Sequence, residues 1–154
     1  MGKEIERKFL VKNDSWRGLV NGNGYRQGYL STVKERTVRV RTAGDKAFLT
    51  IKGITVGASR PEYEYEVPVA DANEMLDQLC ERPLIEKTRY RISHAGLMWE
   101  VDEFEGENRG LITAEVELKD EHQSLTIPGW VGQEVTGEPR YFNANLVAKP
   151  FTAW

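Results

Sequence analysis

The chain has 154 residues, a length that suits a single domain. It carries 21 Lys and Arg against 24 Asp and Glu, and this net charge of −3 argues against a general nucleic-acid binder. The one cysteine, Cys80, excludes an intramolecular disulfide framework and a thiolate zinc site. No segment approaches the ~18 apolar residues of a membrane span. The charged segment 3–8 lacks the apolar stretch of a secretory signal, so we expect a reducing, cytoplasmic location.

Alternation of apolar and polar residues predicts strands along most of the chain. In chain order, the predicted strands are 3–11, 25–30, 37–41, 46–52, 61–67, 86–92, 98–104 and 112–118. Apolar residues at helical spacing predict two helices, over 71–81 and 143–149. Asp71 and Glu74 have the spacing of a capping pair at the start of the first helix.

Charged residues on these strands recur at a spacing of two, which places them on one face of each strand. Three strands carry acidic rows, two carry basic rows and one changes sign: Glu62, Glu64 and Glu66; Glu100 and Asp102; Glu115 and Glu117; Arg39 and Arg41; Lys87, Arg89 and Arg91; Glu4, Glu6 and Lys8. A solvated outer face explains any single strand, but such faces normally mix signs because like charges repel. The opposite faces are apolar and also require burial. We therefore predict a mainly β (α+β) fold, a closed antiparallel eight-stranded barrel with a charged lumen and a few flanking helices.

The residue types in this lumen indicate its ligands. Clustered carboxylates without nearby Cys or His favour the hard cations Mg²⁺ or Mn²⁺. His94 and His122 have no metal-site spacing to the carboxylates and are assigned to the surface or to loops. Rows of Arg and Lys suit a chain of phosphates, and a metal-bridged phosphate clamp is suited to phosphoryl transfer. The sequence has no Ser–His–Asp constellation, so attack by metal-bound water is favoured over a covalent intermediate.

The order of these motifs resembles a known family. Residues 4–8, Glu-Ile-Glu-Arg-Lys, match the N-terminal Glu-x-Glu-x-Lys signature of the CYTH superfamily, the triphosphate tunnel metalloenzymes. Further similar segments follow in the same order: 27–30, 38–41, 49–53, 60–64, 87–90, 99–102, 114–118, 134–137 and 140–143. The resemblance spans essentially the whole chain and is strongest to the short bacterial members that hydrolyse inorganic tripolyphosphate. It implies one tunnel domain over 1–154 with eight antiparallel strands.

The resemblance also implies an activity: Mg²⁺- or Mn²⁺-dependent hydrolysis of a triphosphate, foremost tripolyphosphate to pyrophosphate and phosphate. The alternatives are a class IV-type adenylyl cyclase, a thiamine or nucleoside triphosphatase, and a non-catalytic polyphosphate-binding module. The expected partner is a small polyanion, tripolyphosphate or a triphosphate ester, with neither nucleic acid nor membrane. A homodimer is one option for the oligomeric state. Trp16, Trp130 and Trp154 are assigned to packing or to the surface, not to stacking on a base.

By the same resemblance, individual residues acquire expected roles. The expected metal-binding residues are Glu4, Glu6, Glu62, Glu64, Asp102, Glu115 and Glu117. The expected phosphate-binding residues are Lys8, Arg39, Arg41, Lys52, Lys87 and Arg89. Those assigned to catalysis are Glu4, Glu6, Lys8 and Glu117. Glu66 and Arg91 extend their rows, Glu100 shares the face of Asp102, and Arg60 is expected at the tunnel mouth.

Overall fold

The computed structural model describes residues 3–154, so Met1 and Gly2 of the predicted domain 1–154 lie outside the described residues. The strands are β1 (Glu4–Val11), β2 (Asn23–Ser31), β3 (Thr37–Ala43), β4 (Lys46–Lys52), β5 (Ser59–Arg60), β6 (Glu62–Val67), β7 (Ile85–His94), β8 (Leu97–Phe104), β9 (Ile112–Glu117) and β10 (Val131–Glu134). The helices are α1 (Val69–Gln78) and α2 (Asn143–Ala148), with short 3₁₀ turns at Gly106–Asn108, Pro139–Tyr141 and Phe151–Ala153. Within residues 3–154, no helix is both long and apolar enough to cross a bilayer.

The strands form one antiparallel sheet in the order β10-β1-β9-β8-β7-β2-β3-β4-β6, with β5 paired to β1. All eight predicted strands are present, and β5 and β10 raise the count to ten. The prediction of a closed, eight-stranded barrel is therefore wrong in its strand count and in its closure. A seam separates β6 from β1, and it is bridged at one end, where Glu4 pairs with Arg60 and Lys52 pairs with Glu62. Pro61 stands between these pairs and has no N–H to continue the ladder across the seam.

Helix α1 covers the outer face of β3 and β4. Its Ala72 and Leu76 are buried against Val40 and Ala47. The predicted capping pair is wrong, because the helix begins at Val69 and its cap residue, Pro68, makes no side-chain hydrogen bond. A proline with φ near −59° suits a helix start, since its missing N–H would be unpaired there in any case.

A second outer cluster lies on β1, β8 and β9. Phe9, Trp99 and Val116 pack there with Trp16 and Trp130, two residues assigned to packing by the sequence. The ring centroids of Trp99 and Phe9 are 5.5 Å apart, and those of Trp99 and Trp130 are 6.0 Å apart. Both clusters therefore bury the apolar faces that the alternation placed opposite the charged rows.

Helix α2 fills part of the interior that the sequence assigned entirely to charge. Its Leu146 and Val147 pack against Tyr29, Ile85 and Phe104. These three share the inward face of the charged rows, since Ile85 is two residues before Lys87, Phe104 is two after Asp102, and Tyr29 lies directly opposite Arg39. One end of the lumen is consequently an apolar core, and the charged part is confined to the remainder.

Candidate active site

A cavity of about 710 Å³ occupies the charged part of the interior. Among the described residues, seven acidic and seven basic side chains line it: Glu4, Glu6, Glu62, Glu64, Glu100, Glu115, Glu117, Lys8, Lys34, Arg39, Arg41, Lys52, Arg60 and Arg89. The remaining wall includes the seam loop around Gly57 and the start of α2. The charged residues meet here because residues at a spacing of two share one face of a curved sheet.

Short ion pairs join neighbouring strands across the cavity. Lys52 Nζ lies 3.0 Å from Glu4 Oε1 and 3.5 Å from Glu62 Oε2, so this lysine of β4 joins β6 to β1 across the seam. Lys8 Nζ lies 3.2 Å from Glu115 Oε2 and also donates a hydrogen bond of 3.0 Å to the carbonyl of Tyr141. Lys8 therefore ties the segment that leads into α2 to the cavity wall.

Two arginines of β3 share one carboxylate. The Nη2 atoms of Arg39 and Arg41 each lie 3.4 Å from Glu64 Oε2, which also accepts a hydrogen bond of 2.7 Å from the hydroxyl of Thr50. Burial raises the pKa of Glu64, but the Thr50 hydrogen bond and the two guanidinium groups outweigh it and hold that pKa below its ordinary value. Burial, followed by repulsion from Arg39, lowers the pKa of Arg41. This side of the cavity thus has an excess of positive charge.

A buried ion cluster lies beneath the cavity wall. Asp102 accepts two hydrogen bonds from Arg89, of 2.7 and 2.8 Å, and lies 2.8 Å from Lys87 Nζ. Burial lowers the pKa of Lys87 to about 8, although Asp102 opposes the shift. Burial acts to raise the pKa of Asp102, yet the two adjacent cations hold it below its ordinary value. Arg89 reaches the cavity, whereas Lys87 and Asp102 are not among its lining residues.

Carboxylates oppose one another across the other strands. Glu6 lies directly opposite Glu117 in the β1–β9 register, and Glu100 lies opposite Glu115 in the β8–β9 register. Burial, then the charges of Glu115 and Glu4, raises the pKa of Glu6 well above its ordinary value. The pKa of Glu117 is raised by burial and then by Glu4, Glu62 and Glu100. Directly opposed like charges destabilise a sheet unless a counter-charge lies between them.

The donor set fits a hard divalent cation. The opposed carboxylates supply only oxygen atoms, which are the ligands that Mg²⁺ and Mn²⁺ prefer. Within residues 3–154, no three Asp, Glu, His or Cys side chains already converge in coordination geometry. The fit therefore lies in the ligand chemistry and the repulsion between carboxylates. The residues that could hold the ion are Glu4, Glu6, Glu62, Glu100, Glu115 and Glu117.

Eleven of the thirteen residues predicted for metal or phosphate line this cavity, and Lys87 and Asp102 lie beneath it. Glu100 and Arg60 also line it, whereas Glu66 does not, and the exposed Arg91 pairs with Glu100 at 3.4 Å. The sequence did not assign lining roles to Tyr29, to the β2–β3 turn or to the segment from Thr136 to Asn145. Residues in turns follow no hydrophobic period, so the sequence pattern cannot identify them as lining the cavity. The matches at 134–137 and 140–143 were a signal for the last segment.

Comparison with protein-family models identifies the family to which this chain belongs. The model of the CYTH domain matches residues 2–151. The chain belongs to the CYTH family. A relative from Acetivibrio thermocellus, named inorganic triphosphatase, is 56% identical over 151 residues, covering 98% of this chain and 97% of the relative. A second inorganic triphosphatase, from Nitrosomonas europaea, is 40% identical over 147 residues and covers 93% and 95% of the two chains.

Solved structures agree with this CYTH assignment. The crystal structure of an inorganic triphosphatase superposes with a TM-score of 0.66 and 36% identity, covering 93% of this chain and 96% of the other. A structure from Bacillus halodurans, described as a candidate adenylate cyclase, has a TM-score of 0.62 but 18% identity over 79% of this chain and 84% of its own. The second similarity shows the fold alone.

Proposed function

We propose that this chain is a divalent-metal-dependent inorganic triphosphatase that hydrolyses tripolyphosphate to pyrophosphate and orthophosphate. The observation that carries the proposal is the cavity wall, in which opposed carboxylates alternate with arginines and lysines around a space of about 710 Å³. A metal ion and a polyanion together satisfy both signs of charge. The two curated relatives named inorganic triphosphatase support the same activity.

The carboxylate wall is the proposed metal site. Glu4, Glu6 and Glu117 lie on the adjacent strands β1 and β9, and Glu62 joins them across the seam through Lys52. We assign Glu64, Asp102 and Glu115 supporting roles, since each pairs with two cations of this chain, whereas Glu4 and Glu62 share the single cation of Lys52. When bound, Mg²⁺ or Mn²⁺ supplies charge neutralisation and Lewis-acid activation of the attacking water.

The basic wall is the proposed phosphate clamp. Arg39 and Arg41 project from β3, Lys52 from β4 and Arg89 from β7, so cations reach the substrate from three strands. The buried Asp102, which also pairs with Lys87, fixes the orientation of Arg89 and leaves that side chain little freedom to lose on binding. Lys8 stands between the carboxylates and the α2 segment, where its charge can stabilise negative charge that develops on the phosphate chain.

The tryptophan rings of this chain offer no stacking site for a nucleotide at the cavity, whose aromatic lining residues are Tyr29 and Phe142. None of Trp16, Trp130 and Trp154 lines the cavity: the first two are buried in the outer cluster, and Trp154 packs against Tyr141 and Phe151. A nucleobase would therefore find none of these indole rings to stack on. The proposed partner is a small polyanion, and the proposed location is the cytoplasm, since a chain with one cysteine has no disulfide of its own that an oxidising compartment would have to maintain.

The test is an assay of purified protein on tripolyphosphate, ATP and thiamine triphosphate, with Mg²⁺ or Mn²⁺ and again with EDTA. We expect orthophosphate release from tripolyphosphate to be fastest and to stop in EDTA. Cyclic AMP with pyrophosphate as the products from ATP would instead identify a cyclase. Tight binding of tripolyphosphate without turnover at any metal concentration would identify a binding module.

A further inference from the structure

Gln27 is a fully buried polar side chain outside the charged rows. It lies in β2 on the same face as Tyr25 and Tyr29, and its exposed fraction is 0%. Within residues 3–154, neither its Nε2 nor its Oε1 has a hydrogen-bond partner. Buried polar atoms without partners destabilise a fold, and native structures contain few of them. Gln27 is not among the residues that line the cavity, so these two atoms are available to a neighbouring side chain rather than to a ligand.

The residue opposite Gln27 carries a hydrogen-bond donor that also lacks a partner. Arg41 is its direct partner in the β2–β3 register, so both side chains leave the same face, with Cβ atoms about 4.5–5.5 Å apart. The Nε atom of Arg41 is also buried and unpartnered. An unpaired acceptor and an unpaired donor thus stand on facing residues.

Arg41 is otherwise held loosely. Its Nη2 lies 3.4 Å from Glu64, near the limit of a hydrogen bond, and its guanidinium carbon lies 5.3 Å and 5.2 Å from the ring centres of Tyr25 and Phe48. The rings restrict the plane of the guanidinium but do not choose which edge faces the cavity. A bidentate arginine–phosphate contact requires that choice.

We propose that Gln27 is the positioning residue for Arg41. In the loaded site, Gln27 Oε1 accepts a hydrogen bond from Arg41 Nε, directly or through one shared water molecule. The remaining guanidinium edge, formed by its two terminal nitrogens, then faces the phosphate chain. This inference rests on the proposed function, because it requires that Arg41 binds a substrate phosphate.

Binding and stability are expected to separate in the Gln27 variants. Gln27→Leu removes two unpartnered polar atoms, so the melting temperature is expected to stay the same or to rise. The dissociation constant for tripolyphosphate is expected to increase about tenfold, since a hydrogen bond to a charged group is lost. A purely structural glutamine would instead lower the melting temperature and leave affinity unchanged. Gln27→Met provides a second apolar variant of similar length in case the leucine packs poorly.

A double-mutant cycle with Arg41→Lys tests the coupling between the two residues. Lysine keeps the positive charge but has no Nε–H for Gln27 to hold. We expect Gln27→Leu to weaken tripolyphosphate binding about tenfold in the wild-type background and less than about twofold in the Arg41→Lys background. Gln78→Leu, an exposed change on α1, is the matched control and is expected to alter neither affinity nor stability.

Calorimetry of tripolyphosphate binding in EDTA and steady-state kinetics in Mg²⁺ provide the two readouts, and KM is expected to change more than kcat. An equal loss of affinity in both backgrounds would overturn the role of Gln27, as would a wild-type affinity in Gln27→Leu and Gln27→Met. Absence of turnover of every triphosphate by the wild type would overturn the proposed function instead. The calorimetric cycle decides the role of Gln27 in either case.

Discussion

Opposed carboxylates are the most informative residues of this molecule. Glu6 and Glu117 face each other across β1 and β9, and the pKa of each is raised by burial and by neighbouring glutamates. The sequence predicted their shared face because their spacing within each strand is two. It could not predict that they stand opposite each other, since register depends on which strands pair. Gln27 falls within the matched segment 27–30 but has no predicted role, because it shares its strand face with Tyr25 and Tyr29 and carries no charge that would place it in a row.

Neutralising Glu117 should separate activity from stability. In Glu117→Gln we expect tripolyphosphatase activity to fall at least about a hundredfold, because a proposed metal ligand is lost. The melting temperature of the metal-free protein is expected to rise slightly, because repulsion with Glu4 and Glu62 is removed. Activity assays and thermal unfolding in EDTA measure the two effects. Glu74→Gln, an exposed change on α1, is the control, and a large drop in melting temperature for Glu117→Gln would make that residue structural.

Removing Arg39 should affect substrate more than metal. Arg39→Ala is expected to raise the KM for tripolyphosphate about tenfold or more, because a charge-assisted contact to phosphate is lost. The Mg²⁺ concentration that gives half-maximal activity should change little. Steady-state titrations of substrate and of Mg²⁺ separate the two effects, with the exposed Arg109→Ala as control. Weaker metal activation with an unchanged KM would contradict the assignment.

At the scale of elements, alternation predicted the long strands and failed for the short ones. β5 has two residues and β10 has four, too few for a period of two to stand out from chance. α1 was recognised from its apolar stripe, but its start was misplaced because Pro68, not Asp71, precedes the first turn. α2 was found as a helix, yet its place inside the sheet depends on Tyr29, Ile85 and Phe104, whose inward direction only the fold reveals.

The packing of α2 inside the sheet should be a large part of the stability. Leu146 is fully buried, so Leu146→Ala is expected to lower the free energy of unfolding by about 2–5 kcal/mol. The KM for tripolyphosphate should also rise, because Asn143, Ala144 and Asn145 line the cavity. Urea unfolding and kinetics measure both. Leu79→Ala, at an exposed position, should change stability by less than about 0.5 kcal/mol. An equal effect of both variants would show that α2 is not anchored there.

At the scale of the whole molecule, the charge pattern predicted a mainly antiparallel β fold around a charged interior. It did not reveal the seam between β6 and β1, because sequence periodicity carries no information on whether the last strand meets the first.

The ionisation of the interior nevertheless has a consequence for the entire fold. Carboxylates with raised and with lowered pKa values coexist in one wall, so stability depends on pH in two opposite senses.

The metal-free protein is therefore expected to be most stable in mild acid, at about pH 5. Burial opposes the shift of Glu115, but Lys8 lowers its pKa to about 2 from an ordinary 4.5, so its stabilisation is lost as pH falls through that window. The raised pKa values of Glu6, Glu62 and Glu117 act above 4.5, where stability falls as pH rises because the unfolded chain ionises first. Thermal unfolding across this range in EDTA measures the maximum.

Addition of Mg²⁺ is the matched comparison for this pH profile. The cation should restore stability most at neutral pH, where the carboxylates are ionised, and least in mild acid, where protons compete for the same oxygens. A metal-free profile that rises monotonically to neutral pH, or a Mg²⁺ effect independent of pH, would contradict the clustering of ionised carboxylates.

The equal numbers of acidic and basic side chains around the cavity also determine how a substrate arrives. The fields of opposite charges a few ångströms apart largely cancel at a distance, and salt screens what remains over a Debye length of about 8 Å at physiological ionic strength. Little electrostatic field therefore extends into solution. Enzymes with one sign of charge around their site attract ions from a distance and slow markedly as salt is added. In the metal-free protein, encounter with an anion is therefore expected to be governed by random diffusion, and the rate of tripolyphosphate association should vary little with ionic strength. Selection among anions consequently takes place after entry, not during approach.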